Sequence, residues 1–296
     1  MPPTITVIIP TLNAYTCIRN SPSLQALLQR YPTLIIDSSS QDDSVSFLQA
    51  LGAKVIVIPQ QEFNHGATRE FARQQTQSEF VVYLTQDAVP VSADLIEHLL
   101  APMLQDPDVA VSYARQLPRA QADVLEAFPR YFNYGPEGNV RSIADTARYG
   151  VYTFFCSNSC AAYRSSALDA IGGFKRVRTN EDYFAVAELL QHGYKIAYVP
   201  EASVHHSHAF SLWQEFQRYF DTGYVRAEHP IIQTLVGHAE KRGTQMLQQL
   251  IQHLWLSKPQ LIPYAILQTA VKWLGFRLGF YAQSLPLSLQ KFFGWQ

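Results

Sequence analysis

The chain has 296 residues, 47% of them hydrophobic and 16% charged, with a formal net charge of −1. That suits one large domain, or one domain with an appendage, around a sizeable core. It lacks the basic excess of a nucleic-acid binder, so no nucleic-acid partner is expected. Cys17, Cys156 and Cys160 form no CxxC pair, which fits a reducing compartment. The opening MPPTITVIIPTLNAY has no basic region before a long apolar run, so no signal peptide is expected. No run of roughly 18 apolar residues predicts a spanning helix.

In chain order, ITVIIP (5–10) reads as a buried strand. SPSLQALLQRY (21–31) reads as a helix, with Ser21 as cap and Pro22 at the first helical position. TLIIDSSS (33–40) is a second strand running into small polar residues, and DDSVSFLQALGA (42–53) a helix that Gly52 stops. KVIVIP (54–59) is a third strand, ATREFARQQTQ (67–77) a helix, and FVVYLTQDAVP (80–90) a fourth strand ending in an acid. ADLIEHLLAPMLQ (93–105) and VAVSYARQL (109–117) follow as helix and strand. Such alternation predicts a parallel α/β sheet with right-handed crossovers. Ligands then bind beyond the carboxyl ends of the strands. Asn13, Asp37, Asn64, His65 and Asp87 all fall just after a predicted strand, and so on one rim.

The stretch 118–180 is less regular. NEDYFAVAELLQHGYKIAYVP then reads as an acid-led helix, ending near Gly193, and a strand. A histidine cluster and another helix follow, and from about Thr244 onward the chain is helical and rich in aromatic and aliphatic residues.

Neither a phosphate-loop motif nor GxGxxG is present. Asp37 and the serines after it can hold a base or ribose, or can simply form a capped polar loop. Asp87 is either a ligand for Mg²⁺ or Mn²⁺ or a turn residue ahead of Pro90. Glu181 and Asp182 either complement a helix dipole or provide a general base at a cleft mouth. In VHHSHAF, His206 and His208 face one way if the strand continues. Zinc is disfavoured there, because no third ligand appears at the usual spacing. Contact with a diphosphate, or a place in a metal shell, is the preferred role.

Seven segments, TVIIPTLNA, IIDSSSQDDS, FNHGATR, VVYLTQDAVP, SNSCAAYRSSALDAIGGF, NEDYFAVAELLQHGYKIAYVP and VHHSHAFSLWQEFQRYFDTG, occur in one order. It is the order found in family 2 glycosyltransferases of the A-type fold. More narrowly, over roughly 1–230, the chain resembles bacterial rhamnosyltransferases that build O-antigen and other surface polysaccharides; FNHG and TQDA belong to that subgroup. The resemblance implies a Rossmann-like, mostly parallel sheet flanked by helices, with a catalytic domain over 1–230 and a helical extension over 231–296. It implies inverting transfer of L-rhamnose from dTDP-rhamnose to a polyprenyl-linked saccharide, with Mg²⁺ or Mn²⁺, at the cytoplasmic face of the inner membrane. Another UDP or dTDP sugar, or a non-catalytic sugar-nucleotide binder on this fold, is the alternative.

By the same resemblance, Pro10, Thr11, Asn13 and Asp37 bound the base and ribose. Asn64, His65, Gly66, Arg69 and Gln86 face the diphosphate sugar, and Gly66 permits close backbone approach. Asp87 is the metal acid, Asp182 the catalytic base with Glu181 beside it, and Asn158 and Ser159 lie on the acceptor side. His206 and His208 supplement the diphosphate or metal site. Thr85, Gln86 and Ala88 stand where many relatives carry further acids. A nucleotidyltransferase is disfavoured, since PTLNAYTC lacks a glycine-rich basic loop. The mixed aromatic and cationic C-terminal third suits either a membrane interface or packing on the catalytic domain or a second subunit.

Overall fold

The computed structural model describes residues 2–236 and 240–295. Three continuous apolar runs become the central strands β1 (Ile5–Thr11), β2 (Thr33–Asp37) and, after the half-exposed edge strand β3 (Lys54–Val57), β4 (Phe80–Leu84). Every residue of β2 and β4 is buried, as parallel strands covered on both faces require. Next come the short β5 (Val89–Pro90), then β6 (Val109–Leu117), β7 (Asn139–Arg141), β8 (Cys160–Arg164) and β9 (Lys195–His205). Their order across one sheet is β3-β2-β1-β4-β8-β6-β9-β5, with β7 also on β9.

The sheet is mixed. β3, β2, β1 and β4 run parallel, and β6 runs parallel to β9. Between these two groups β8 lies antiparallel to both β4 and β6. β8 is the strand that the irregular 118–180 stretch concealed. It is reached from β6 through the helix Val124–Asn133, the short strand β7 and several helical turns, and it enters from the opposite end. Successive residues of β1 face opposite sides: Ile8 joins the core beneath the helix Glu181–Gln191, while Val7 and Ile9 join the core beneath Pro22–Arg30 and Leu95–Gln105.

Toward the C-terminus, helix Leu212–Glu228 packs on helix Ile262–Phe280 at very close range. A Cβ on Gly275 would sit 2.4 Å from the carbonyl oxygen of Phe216, and one on Gly279 only 1.9 Å from that of Phe220. Phe216, Phe220 and Ala282 close a small core between these helices. Leu250, Leu254 and Ala265 close another, which reaches Phe128 on helix Val124–Asn133.

Candidate active site

The carboxyl ends of β1 and β2 meet in a rigid polar loop. Asp37 is fully buried: Thr11 Oγ1 donates to Oδ2 at 3.0 Å, while the Ser40 backbone N–H reaches Oδ1 at 2.8 Å and its hydroxyl reaches Oδ2 at 2.6 Å. Asn13, at φ 50°, donates its backbone N–H to Ser40 Oγ and accepts from Gln41 N–H. Asn tolerates the left-handed region better than most residues. Asp37 and Asn13 therefore shape the loop that follows β2. Pro10 and Thr11 are the last residues of β1, paired with Ile36 and Asp37. Gln86 clamps the next turn, accepting from Leu12 N–H (2.8 Å) and donating to Leu12 carbonyl oxygen (3.1 Å). Both ends of its amide are engaged within the protein.

Just past β4, Asp87 meets the two histidines that follow β9. Asp87 Oδ1 lies 3.5 Å from His206 Nε2, Asp87 Oδ2 lies 3.2 Å from His208 Nε2, and the two Nε2 atoms are 3.1 Å apart. Asp87 thus offers the third ligand atom that sequence spacing did not reveal, and a third donor no longer separates the cluster from a zinc site. Gln116 Oε1, 3.1 Å from His206 Nδ1, accepts from it and fixes the ring with Nε2 turned toward Asp87. Burial and the neighbouring His206 charge push His208 down to about 4, so it is neutral near pH 7 with its lone pair available. Burial works against ionisation of Asp87, but the hydrogen bond and charge of His206 hold it well below the usual carboxylate range. One carboxylate and two imidazoles whose ligand atoms lie within 4.8 Å of one another fit a divalent cation.

A turn connects this cluster to the second acid site. Gln116 Nε2 donates to Ser157 Oγ at 2.8 Å, and the Ser159 carbonyl accepts from Thr85 N–H. Between these serines, Asn158 donates its backbone N–H to Asp182 Oδ2 (2.9 Å) and its side-chain amide to Glu181 Oε1 (3.0 Å). Asp182 also accepts from Tyr183 N–H. Asn180, at φ 61°, turns the chain sharply into the helix that carries both acids. Burial, followed by the charge of Glu181, pushes half-buried Asp182 up to about 7. That is where a general base for neutral pH belongs.

Glu181 has a different job from Asp182. Its Oε1 lies 3.0 Å from Arg69 Nη1, with both side chains almost wholly buried. Burial opposes its charge, but Arg69, then His65 and the Asn158 amide, keep it ionised. Glu181 and Arg69 thus neutralise one another within the protein, next to Asp182.

The Asn64–His65–Gly66 stretch is also internal. Asn64 Oδ1 caps the helix His65–Gln74 through Ala67 N–H, and its Nδ2 donates to Val177 carbonyl oxygen. That cap starts the helix two residues earlier than its periodicity predicts. A Cβ on Gly66 would lie 1.9 Å from Lys175 carbonyl oxygen and 3.3 Å from Glu181 Cβ. Glycine lets protein approach protein there. His65 stands beside Arg69 (3.4 Å from Nδ1 to Nη1), and burial lowers its proton affinity.

Two arginines that sequence reading left unmarked complete the site. Arg130, on helix Val124–Asn133, and Arg218, on helix Leu212–Glu228, both act electrostatically on His208. Arg218 stacks 4.1 Å from the Phe210 ring, and Arg130 Nε is buried without a hydrogen-bond partner. Neither has a carboxylate at ion-pair distance among the described residues. Arg218 also feels the charge of Glu215, and both arginines place positive charge on the His208 side of the cluster.

A mixed sheet flanked by helices, with an acid–histidine cluster and a separate basic carboxylate at its carboxyl rim, defines a glycosyltransferase of the A-type fold. Residues 6–172 match the profile of Glycosyl transferase family 2, and the chain belongs to that family. It is 43% identical to the O-antigen chain rhamnosyltransferase WbaN of Salmonella anatum, over 98% of this chain and 94% of that protein. It is 41% identical to the O-antigen chain rhamnosyltransferase RfbN of Salmonella typhimurium strain LT2, over 98% and 93%. Among solved structures, the mannosyltransferase PcManGT of Pyrobaculum calidifontis, in complex with GDP-Man and Mn²⁺, shares the fold at TM-score 0.63 and 15% identity, over 96% of this chain and 89% of that one. TarS 1–349 of S. aureus in complex with UDP does so at TM-score 0.55 and 15% identity, over 96% and 93%.

Proposed function

We propose that this chain is an inverting rhamnosyltransferase of O-antigen synthesis, taking L-rhamnose from dTDP-rhamnose. The supporting observation is the pairing of a half-buried Asp182, at about 7, with the Asp87–His206–His208 cluster, bridged by the Ser157–Ser159 turn. Asp182 accepts the proton of the acceptor hydroxyl as that oxygen attacks the anomeric carbon from the face opposite the leaving diphosphate. One displacement inverts the centre, and no covalent sugar–enzyme intermediate forms.

Asp87, His206 and His208 hold a divalent cation, Mn²⁺ in preference to Mg²⁺, because two of the three donors are imidazole nitrogens. When bound, that ion offsets charge on the departing diphosphate. Arg130 and Arg218 add fixed positive charge on the same side. Glu181, held by Arg69, adds to the raised proton affinity that burial gives Asp182. Asp37, Asn13 and Gln86 hold the walls of the nucleotide pocket, and Asn158 and Ser159 border the acceptor.

The rhamnose assignment rests on the two relatives named as rhamnosyltransferases, each aligned over nearly its whole length. We further assign residues 1–230 to catalysis and 231–296 to a helical extension. No described helix is long and apolar enough to cross a membrane, and we place the enzyme peripherally at the cytoplasmic membrane face, where a polyprenyl-linked acceptor resides. The direct experiment incubates purified protein with Mn²⁺ and dTDP-rhamnose, UDP-glucose or UDP-galactose and measures nucleotide release. Slow hydrolysis of dTDP-rhamnose alone supports the reading. Absence of both binding and release with every donor removes the enzymatic reading.

A further inference from the structure

Helix Ile262–Phe280 is turned inside out relative to an ordinary surface helix. Its polar Gln268 and Lys272 point into the protein, where each reaches Glu215 Oε1, at 3.4 and 3.1 Å. Gly275 and Gly279 lie on that same inner side, against the backbone of helix Leu212–Glu228. At about 100° per residue, Ile266, Leu267, Trp273, Leu274, Arg277 and Tyr281 fall together on the opposite side. The five apolar ones are between 45% and 58% exposed. From Ile266 to Tyr281 this offers solvent an apolar stripe about 22 Å long. Such a surface marks an interaction site.

Charge identifies what covers it. Residues 244–296 contain Lys258, Lys272, Arg277 and Lys291 and no Asp or Glu, while the whole chain has 23 Lys and Arg against 24 Asp and Glu. Lys272 is paired inward with Glu215, so Arg277 is the charge the stripe itself carries, in a segment with no acid of its own to offset it. Arg277 lies over the rings of Trp273 (6.0 Å) and Tyr281 (5.4 Å), within the stripe itself. A second copy of the chain would bring like charges together across a two-fold axis. An anionic lipid surface complements them. Trp and Tyr beside cations on an apolar face are also the composition of helices that lie in a bilayer interface.

We propose that the outer face of helix Ile262–Phe280 seats the protein on a membrane bearing anionic lipid headgroups. This rests on the peripheral placement given above and names the surface responsible. The helix packs directly on Leu212–Glu228, which carries Arg218, so the docked face lies one helix behind the cleft.

The test is co-sedimentation of the full chain with vesicles of phosphatidylcholine alone, or of phosphatidylcholine mixed with phosphatidylglycerol. The protein sediments with the mixed vesicles, more weakly at high salt, and little with phosphatidylcholine alone. Leu267→Glu with Trp273→Glu lowers partitioning about tenfold or more, while donor hydrolysis and circular dichroism stay unchanged. The proposal is overturned if the wild type stays in the supernatant with anionic vesicles, or if the double variant sediments like wild type. It is equally overturned if light scattering shows a dimer that the variant splits, since the stripe then belongs to a second copy. Hydrolysis is read without vesicles, so failure here is separable from failure of the catalytic reading.

Discussion

Glu181 and Arg69 form an ion pair of 3.0 Å beneath the cleft, one residue away from Asp182. The pair is buried on both sides, so its electrostatic influence on Asp182 is poorly screened by solvent. Glu181 contributes to the raised proton affinity of Asp182, and Arg69 keeps Glu181 itself charged. Two adjacent carboxylates thereby take opposite roles, one fixed as an anion and one poised to accept a proton.

Glu181→Gln tests that division. It leaves the Arg69 guanidinium buried without its carboxylate, which costs about 3–5 kcal/mol in comparable pairs. Thermal unfolding should show a clear loss of stability. In the fraction that remains folded, removing the negative neighbour moves the acid limb of the pH–rate profile to lower pH. A variant with wild-type melting temperature and an unmoved limb contradicts the positioning role.

The pH dependence of transfer follows from Asp182. A carboxyl held near 7 is protonated below that pH and cannot act as base. The rate should rise with pH, reach half its plateau near 7, and flatten above. Stability runs the other way. The folded value lies above the ordinary 3.8, so the unfolded chain loses this proton first, and stability falls as pH rises from about 4 to 7. Asp182→Asn removes that penalty. Its melting temperature relative to wild type should therefore improve between pH 5 and pH 8, measured by scanning calorimetry.

Metal binding reads out the histidine cluster without turnover. Asp87→Ala and His208→Ala should each weaken Mn²⁺ binding strongly in calorimetric titration with dTDP present. Gln116→Leu removes the hydrogen bond that fixes His206 and should cost about 10–100-fold in affinity. Unchanged affinity in Gln116→Leu would show that the bond to His206 Nδ1 does not orient the ring.

Gly66→Ala separates two accounts of the FNHG stretch. Its methyl would meet Lys175 carbonyl oxygen, a backbone atom that cannot swing away. Overpacking of that kind costs about 1–3 kcal/mol or more. The variant should lose stability yet, where folded, keep wild-type donor affinity. Wild-type stability with weakened donor affinity would instead put Gly66 against the ligand.

Much of this architecture was legible because its signals are local. β1, β2 and β4 announce themselves as unbroken apolar runs, and Gly52, at φ 91°, stops its helix as its position suggests. The rim was legible too, because strand ends are visible in sequence. What pairing does to each rim residue was not. Asn64 looks like a ligand contact until Ala67 and Val177 are found to occupy its amide. Arg69 looks available until Glu181 closes on it across more than a hundred residues. His206 and His208 lack a visible third partner because Asp87 follows β4, three places from β9 in the sheet. Ser21 takes the cap position but makes no cap hydrogen bond. β8 was hidden because an antiparallel insertion breaks the strand–helix alternation that sequence reading follows.

The measurement closest to the central claim is transfer by Asp182→Asn, with donor binding followed in parallel. Loss of the base should lower the rate about 10²–10⁴-fold while dTDP-rhamnose still binds in the presence of Mn²⁺. Turnover within a few fold of wild type, with the donor bound normally, would contradict Asp182 as the residue that takes the acceptor's proton.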